Sequence, residues 1–521
     1  MSLGSAEAAQ VKLDSGAIEG TATSDGRVRI YKGIPYAAPP TGTLRWQPPR
    51  PVHPWVGVRK AIGFGPRCMQ GRIYDDMVFR DGMSEDCLYL NVWTPARAAN
   101  DRLAVMVWIH GGGFQTGSAS EPRQDGEMLA RRNVVVVSMN YRLGVFGFLA
   151  HPELSREIGP KTSGNYGLHD LIASLQWVKA NIGAFGGDPN NVTIFGESAG
   201  SIFVSALMAS PLARGLFHKA IGESGALFPT GPGFIGRSLA DSEEQGEKFA
   251  SSLGADTMAA LRAKPADEVL QTALKTQPWF APTIDGNVLP DSVGAIYDAG
   301  KQARVPLLAG WNADEARAGV VLGKEKPSIA TFKEMLKTRL GDRGADALKV
   351  YPASSDEEAL ESQASFAGDM FIGYGTWKWI EEHARTGQSP VYRYSFNREI
   401  PVAADAKVNG QPATAKDIGA RHAGEIEYVF GTLDSVKGVK WTETDRDLSS
   451  AMMTYWTNFA KTGNPNGRDY VRRRALPAWA RYDEGGERPV IQLDETISSS
   501  PDQFRSRYVF LDTYFNKQVP K

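Results

Sequence analysis

Two kinds of segment alternate along the chain. Short, continuous apolar runs recur at Leu103–Ile109 (LAVMVWI), at 133–140 (NVVVVSMN), at 192–195 (VTIF) and at 305–310 (VPLLAG). Runs of this length with no polar face predict strands buried on both sides, as in a parallel sheet covered by helices. Between them, Leu168, Leu171, Ile172, Leu175 and Val178 fall at helical spacing and predict a packing helix. Residues 198–208 (SAGSIFVSALM) contain no Pro and read as a buried helix. Residues 241–274 predict helices inserted after the first half of the sheet, with 280–286 (FAPTIDG) returning toward it. The stretch up to about Pro40 alternates and turns like a small N-terminal antiparallel sheet, which puts the start of the central sheet near Leu88. The pattern as a whole predicts an α/β fold with a large, mostly parallel sheet flanked by helices.

Length alone, at 521 residues, suggests about three domains. No Pro/Ser-rich linker, composition shift or internal repeat divides the chain, so one domain over 1–521 with insertions is expected. Composition is that of a soluble globular protein: 42% hydrophobic, 22% charged, mean hydropathy −0.31, and no apolar run near the ~18 residues of a membrane span. A net charge of −1 argues against nucleic-acid binding, which rests on a basic surface. Arg472-Arg473-Arg474 reads as a solvated loop, and Asp356-Glu357-Glu358 as the start of an exposed helix.

The chemistry concentrates at 191–200 (NVTIFGESAG), where a β-branched and aromatic run passes into Gly196-Glu197-Ser198-Ala199-Gly200 and then into the buried helix. This is the pattern of a nucleophilic serine on a sharp strand-to-helix turn. Gly196 and Gly200 keep side chains out of that turn, and the helix N-terminus favours negative charge beside Ser198. With 55 glycines, a G-x-S-x-G match is expected by chance about 0.4 times, so the context has to carry the assignment. Upstream, the run Leu103–Ile109 ends in His110-Gly111-Gly112-Gly113, a loop whose exposed N–H groups suit an oxyanion.

A nucleophilic serine needs a base and an acid to orient it, in the chain order serine, acid, histidine. Only His218, His383 and His422 follow Ser198. His218 sits in the next helix-to-strand segment and His383 in a charged helix end, which leaves His422 as the base. The acid is placed by loop position: Trp311-Asn312-Ala313-Asp314-Glu315 follows an apolar strand at its ligand-facing end. Asp314 and Glu315 both qualify.

Several long blocks resemble the type-B carboxylesterase and cholinesterase family of α/β-hydrolases. They are residues 85–91 (EDCLYLN), Asn140-Tyr141-Arg142-Leu143-Gly144 with Phe146-Gly147-Phe148, the whole of 164–200, and Trp456-Thr457-Asn458-Phe459-Ala460-Lys461 with Gly463, Pro465 and Asn466. The resemblance spans nearly the whole chain and implies an α/β-hydrolase fold with helical insertions forming the pocket. It implies Glu315 as the acid, His422 as the base, and Gly112, Gly113 and Ala199 as donors to the oxyanion. It also puts Glu197 and Ser224 in a supporting hydrogen-bonded shell. Two positions depart from the family pattern: Ala316 stands where a glycine is usual, and Leu171 where a glutamine is usual.

By the same resemblance Cys68 and Cys87 correspond to the family's first disulfide, closing a loop of 18 intervening residues and worth about 3 kcal/mol, with two reduced thiols as the alternative. No Cys/His cluster accompanies them, so no metal is expected. A disulfide points to an oxidising compartment, hence a periplasmic or secreted location, with a cytoplasmic one as the alternative. No signal peptide pattern is present, and Met1-Ser2-Leu3 reads as an expression-vector remnant replacing a removed leader. Asn191-Val192-Thr193 fits a glycosylation acceptor, but its place in a core strand argues against that use.

The implied reaction is hydrolysis of a small-molecule carboxylic ester through an acyl-enzyme, with no metal or organic cofactor. Residues 69–86 contain Tyr74 and Phe79 but no tryptophan, whereas the cholinesterase branch cradles quaternary ammonium on a tryptophan in this loop. Choline esters are therefore disfavoured, and the chain looks more like bacterial, para-nitrobenzyl esterase-like carboxylesterases. Phe114, Phe228, Trp279, Phe280 and Trp311 are candidates for an aromatic pocket wall. The competing readings are a non-catalytic cholinesterase-like binding module, a lipase, and a specialised natural-product esterase.

Overall fold

The computed structural model describes residues 10–74, 77–159, 163–228, 236–316, 328–408, 410–469, 474–483 and 486–518. The expectations for residues 1–3, Arg472 and Arg473 lie outside the described residues. Eleven strands form one sheet: β1 (Thr21–Ala22), β2 (Arg29–Pro35), β3 (Tyr89–Thr94), β4 (Leu103–Ile109), β5 (Val135–Met139), β6 (Gly187–Glu197), β7 (Lys219–Glu223), β8 (Leu307–Asn312), β9 (Val391–Phe396), β10 (Pro489–Leu493) and β11 (Ser498–Pro501). Their spatial order is β11-β10-β9-β8-β7-β6-β4-β5-β3-β2-β1. The inner pairs from β10 to β5 are parallel, and the outer pairs at both edges are antiparallel.

The continuous apolar run of β4 is explained by its place near the middle of that sheet. Val105, Val107 and Ile109 pack in a core layer on one face, and Ala104, Met106 and Trp108 pack in a second layer on the other. Successive side chains of a strand point to opposite faces, so a strand covered on both has no position for a polar residue. Trp108 meets Phe195 and Phe430 at ring separations of 4.8 Å each, which fastens the helix after His422 to the sheet beneath it.

The predicted helices form at Tyr166–Asn181, at Ala199–Ala209, and in the insertion as Leu239–Ser252, Met258–Ala263 and Ala266–Thr276. One expectation is corrected. The N-terminal stretch does not make one antiparallel sheet: Gln10–Leu13 and Gly16–Glu19 pair antiparallel but take Val58–Lys60 as a parallel third strand, while β1 and β2 extend the large sheet, which thus begins at Thr21. Local alternation cannot reveal which strand a hairpin pairs with. The segment 280–286 adds no strand to the sheet on its way back to it. Thr283–Ile284 pairs in parallel with Arg237–Ser238, held by Asn165, whose Nδ2 donates to the Thr283 carbonyl at 2.8 Å and whose Oδ1 accepts from its N–H at 2.9 Å.

Two blocks of the family resemblance meet here. Arg142 donates through Nε and its other terminal nitrogen to both oxygens of Asp170 at 2.8 and 2.7 Å, and through Nη1 to the Gln47 carbonyl at 2.8 Å. Asp170 has no exposed surface, and Leu171 beside it is packed in the core, so its departure from the family pattern leaves this pair intact. Breaking one side of a buried pair leaves the other charge uncompensated. Asp170→Asn is accordingly expected to lower unfolding stability by about 3–5 kcal/mol in urea titration.

Candidate active site

The end of β4, the turn after β6 and the turn after β7 converge so closely that only glycine fits at several positions. A Cβ on Gly200 would collide with the Ile109 carbonyl oxygen, and one on Gly196 would stand 2.6 Å from the same atom. Between them Ser198 is held at φ +55°, ψ −122°, a conformation that costs a non-glycine residue of order 1–3 kcal/mol. Its N–H donates to the Glu223 carbonyl at 2.8 Å, continuing the ladder of β6 onto β7.

Three residues from distant parts of the chain form one chain of hydrogen bonds. His422 Nε2 lies 3.0 Å from Ser198 Oγ, and His422 Nδ1 lies 2.5 Å from Glu315 Oε2. The other Glu315 oxygen accepts from Ser224 Oγ at 2.5 Å and from the Asn312 N–H at 2.8 Å. Ser224 itself sits at φ +52° after β7, its N–H bonded to the Gly310 carbonyl at 2.9 Å. Asp314 and Glu315, not separated at the level of sequence, point to different partners in space. Asp314 turns away from the imidazole and accepts the Ala420 N–H at 2.8 Å, pinning the loop that carries His422. His218 and His383 are elsewhere: His218 Nδ1 accepts the Val192 N–H, and His383 Nε2 bonds the Val305 carbonyl.

The glycine loop lies directly on this turn. A Cβ on Gly111 would be 2.7 Å from Glu197 Oε2 and 3.1 Å from Ser198 Cβ. Among the described residues, no backbone or side-chain acceptor takes the N–H groups of Gly112, Gly113 or Ala199. The loop is closed on itself by the N–H groups of Gln115 and Thr116, both donating to the Gly112 carbonyl at 3.1 Å. Of the aromatic residues considered for the pocket wall, Trp279 stands over Gly113, together with the Tyr74 hydroxyl. Phe114, Phe228, Phe280 and Trp311 are buried in ring contacts with Phe203, Tyr297, Phe249 and Tyr508.

Sequence reasoning missed several residues of this region. Glu425, three residues after His422, is fully buried and accepts from Asn312 Nδ2 at 2.5 Å. Glu223, also fully buried, accepts from Trp456 Nε1 at 2.8 Å. Read locally, Glu425 belonged to the polar side of an amphipathic turn, and only the apolar residues around it hinted at burial. Phe371 is 54% exposed and meets the His422 ring edge-on at 5.1 Å. It sits on a π-helical turn, Asp369–Gly373, between the helices Asp356–Gly368 and Tyr374–Thr386; such turns are frequent at functional sites.

Burial dominates the electrostatics. It pushes the Glu197 carboxyl up to about 8, with His422 opposing and Glu425 adding, and the Glu425 carboxyl up to about 7. Burial likewise raises Glu223 well above the usual carboxylate range, with Glu425 adding. For His422 burial acts downward, but Glu197, whose Oε1 is 3.3 Å from Nε2, and Glu315 outweigh it and raise the imidazole to about 9.

A strained serine on a strand-to-helix turn, backed by an imidazole and a carboxylate on an eleven-stranded sheet, defines a serine hydrolase of the α/β-hydrolase fold. The pattern of the carboxylesterase family matches residues 7–510, and the chain belongs to that family of carboxylic ester hydrolases. It is 37% identical over 490 residues to the fumonisin B1 esterase of Sphingopyxis macrogoltabida, covering 91% of this chain and 84% of that one. It is 35% identical over 520 residues to the para-nitrobenzyl esterase of Bacillus subtilis (strain 168), covering 96% and 98%. A solved structure of PNB esterase superimposes with a TM-score of 0.80 at 32% identity, covering 98% of this chain and 99% of that one. Small-molecule esters are the substrates of such an enzyme, and among the described residues no helix is long and apolar enough to cross a membrane.

An imidazole must be neutral to accept a proton, so activity that runs through His422 is expected to rise as pH climbs through its pKa. The acid limb of kcat/KM is expected above the ordinary histidine value of 6.5, because the His422 pKa is raised. Glu197→Gln removes one carboxylate that raises it and is expected to move that limb to lower pH, measured as kcat/KM profiles of both proteins.

Proposed function

We propose that the enzyme hydrolyses carboxylic esters through Ser198, His422 and Glu315, with the N–H groups of Gly112, Gly113 and Ala199 as the oxyanion hole. The observation that carries this reading is the unbroken path from Ser198 Oγ through both nitrogens of His422 to Glu315, starting at a serine held in a strained turn. Ser198 Oγ attacks the ester carbonyl carbon as His422 Nε2 takes its proton. Glu315 holds the imidazole in the tautomer that leaves Nε2 free and stabilises the imidazolium that forms. The tetrahedral intermediate collapses as His422 returns the proton to the departing alkoxide, releasing the alcohol. Water, deprotonated by the same nitrogen, then attacks the acyl carbon; the bond to Ser198 Oγ breaks as His422 returns the proton to that oxygen, freeing the acid and restoring the enzyme. Each oxyanion donor is worth about 2.7–4 kcal/mol in sites of this kind. Glu197 and Ser224 support this machinery: Ser224 fixes the Glu315 carboxylate, and Glu197 backs the imidazole.

The whole chain serves as one catalytic domain, with the helices between β7 and β8 as part of the pocket wall. The Cys68–Cys87 bond, with Cα atoms 4.9 Å apart, supports a periplasmic or secreted location. On substrate, the exposed ring of Phe371 beside His422 and the Trp279 and Tyr74 side chains over Gly113 support esters with an apolar acyl or alcohol group. The names of two relatives point to para-nitrobenzyl esters and to fumonisin B1, and an esterase of the para-nitrobenzyl esterase kind fits this chain best.

Hydrolysis of a para-nitrophenyl acyl series tests both parts. Ser198→Ala, His422→Ala and Glu315→Ala are each expected to lose activity by about 10⁴-fold or more, and Asp314→Ala far less, since its carboxylate accepts from the Ala420 N–H and does not face the imidazole. A folded Ser198→Ala variant with wild-type turnover would overturn the reading, and a folded wild type inert across the series would favour a binding module. Phe371→Ala is expected to raise KM several-fold with little change in kcat or thermal stability, because the ring is largely exposed and offers binding to ground and transition state alike.

A further inference from the structure

The loop closed by Cys68 and Cys87 is laced to the glycine loop at its base. Gln70, two residues beyond the first cysteine and 6% exposed, uses the full hydrogen-bonding capacity of its carboxamide. Its Oε1 accepts from Thr116 Oγ1 at 2.6 Å and from the Gly117 N–H at 2.9 Å. Its Nε2 donates to the Gly117 carbonyl at 2.8 Å and to the Cys68 carbonyl at 3.0 Å. A second lacing lies further along, where Ser118 Oγ donates to Asp81 Oδ2 at 2.7 Å and the Arg80 N–H to Ser120 Oγ at 3.2 Å.

The Gln70 contacts reach the proposed oxyanion donors through one turn of backbone. Thr116 N–H donates to the Gly112 carbonyl, and the Thr116 carbonyl oxygen fills the place a Cβ on Gly112 would take. The orientation of the peptide between Gly112 and Gly113, and hence the direction of the Gly113 N–H, therefore follows the position of Thr116. Gly112 and Gly113 are both at positive φ, +107° and +61°, so no side chain limits their rotation and the restraint has to come from outside. We propose that Gln70 is a positioning residue of the oxyanion hole: it ties the Cys68–Cys87 loop to Thr116 and Gly117 and so aims the Gly113 N–H group. This rests on the oxyanion reading above and adds to it the group that sets the hole's geometry.

The consequence is specific to the transition state. Preorganised donors count only where the negative charge develops, so their misalignment lowers kcat rather than substrate binding. A shift of about 1 Å in a catalytic group can cost about 100-fold. Gln70→Met keeps the side-chain volume and removes all four hydrogen bonds. Gln70→Glu keeps both acceptor bonds and loses the donors. Thr116→Val cuts one bond from the other side and covers the case in which Gln70→Met does not fold.

The experiment compares each variant with wild type in kcat and KM on a para-nitrophenyl ester, in thermal unfolding, and in the preference for an alkyl trifluoromethyl ketone over the matching methyl ketone as inhibitors. The trifluoromethyl ketone adds to the serine and places an oxyanion in the hole. Gln70→Met is expected to lose about 10- to 100-fold in kcat with KM within about threefold, and to lose ketone preference by the same factor. Gln70→Glu and Thr116→Val are expected to show smaller losses of the same kind. A merely structural glutamine would lower the unfolding temperature and leave the ketone preference intact in all folded variants, and that result overturns the proposal. A wild type with no preference for the trifluoromethyl ketone would instead overturn the oxyanion reading on which it rests.

Discussion

The close approach of three backbone segments at the Ser198 turn is the constraint on which the rest of the molecule depends. The parallel register sets Ile109 beside Gly196 and Glu197 beside Glu223, and in that register a Cβ at Gly196 or Gly200 would overlap backbone. The strain at Ser198 is tolerated because both flanking strands are locked into the middle of a large sheet with apolar layers on each face. The size of the sheet thus has a purpose at one point of it: a rigid frame holds one residue in a conformation it would not adopt alone.

The same frame makes the site's charges expensive to hold. Glu197, Glu315 and Glu425 interact with His422, and Glu223 with Glu197 and Glu425, in surroundings where burial raises the Glu197, Glu223 and Glu425 carboxyls. Burial and mutual repulsion raise the Glu197, Glu223 and Glu425 carboxyls, while Glu197 and Glu315 raise the imidazole. Glu315 is set apart from the others by its donors, Ser224 Oγ and the Asn312 N–H, which fix the carboxyl that faces His422. Asn312 links the two ends of this arrangement, since its side chain reaches both Glu425 and the Arg421 carbonyl.

Legibility in the sequence followed the range of the interaction. Ser198 with its flanking strand and helix, and the glycine loop after β4, are contiguous motifs whose chemistry and local structure coincide, and they were readable residue by residue. His422 emerged by elimination and chain order. Asp314 and Glu315 were not separable locally, because adjacent carboxylates differ only in where the backbone points them. Glu223, Gln70 and Phe371 carried no local signal, and Glu425 only the apolar residues around it, since their roles come from partners 15 or more residues away or from burial that a turn's polarity conceals.

The sequence by itself determined the central buried strands and the helices packed on them and which serine lies on a strand-to-helix turn, because periodicity and contiguous motifs act over a few residues, while the ester-hydrolase class came from blocks that resemble a known family. Tertiary structure alone decided which carboxylate faces His422, which strand the N-terminal hairpin joins, and what braces the glycine loop. Those outcomes depend on register and on direction in space. A hydrogen bond at 2.5 Å and a miss by one residue look the same along the chain, and only packing tells them apart.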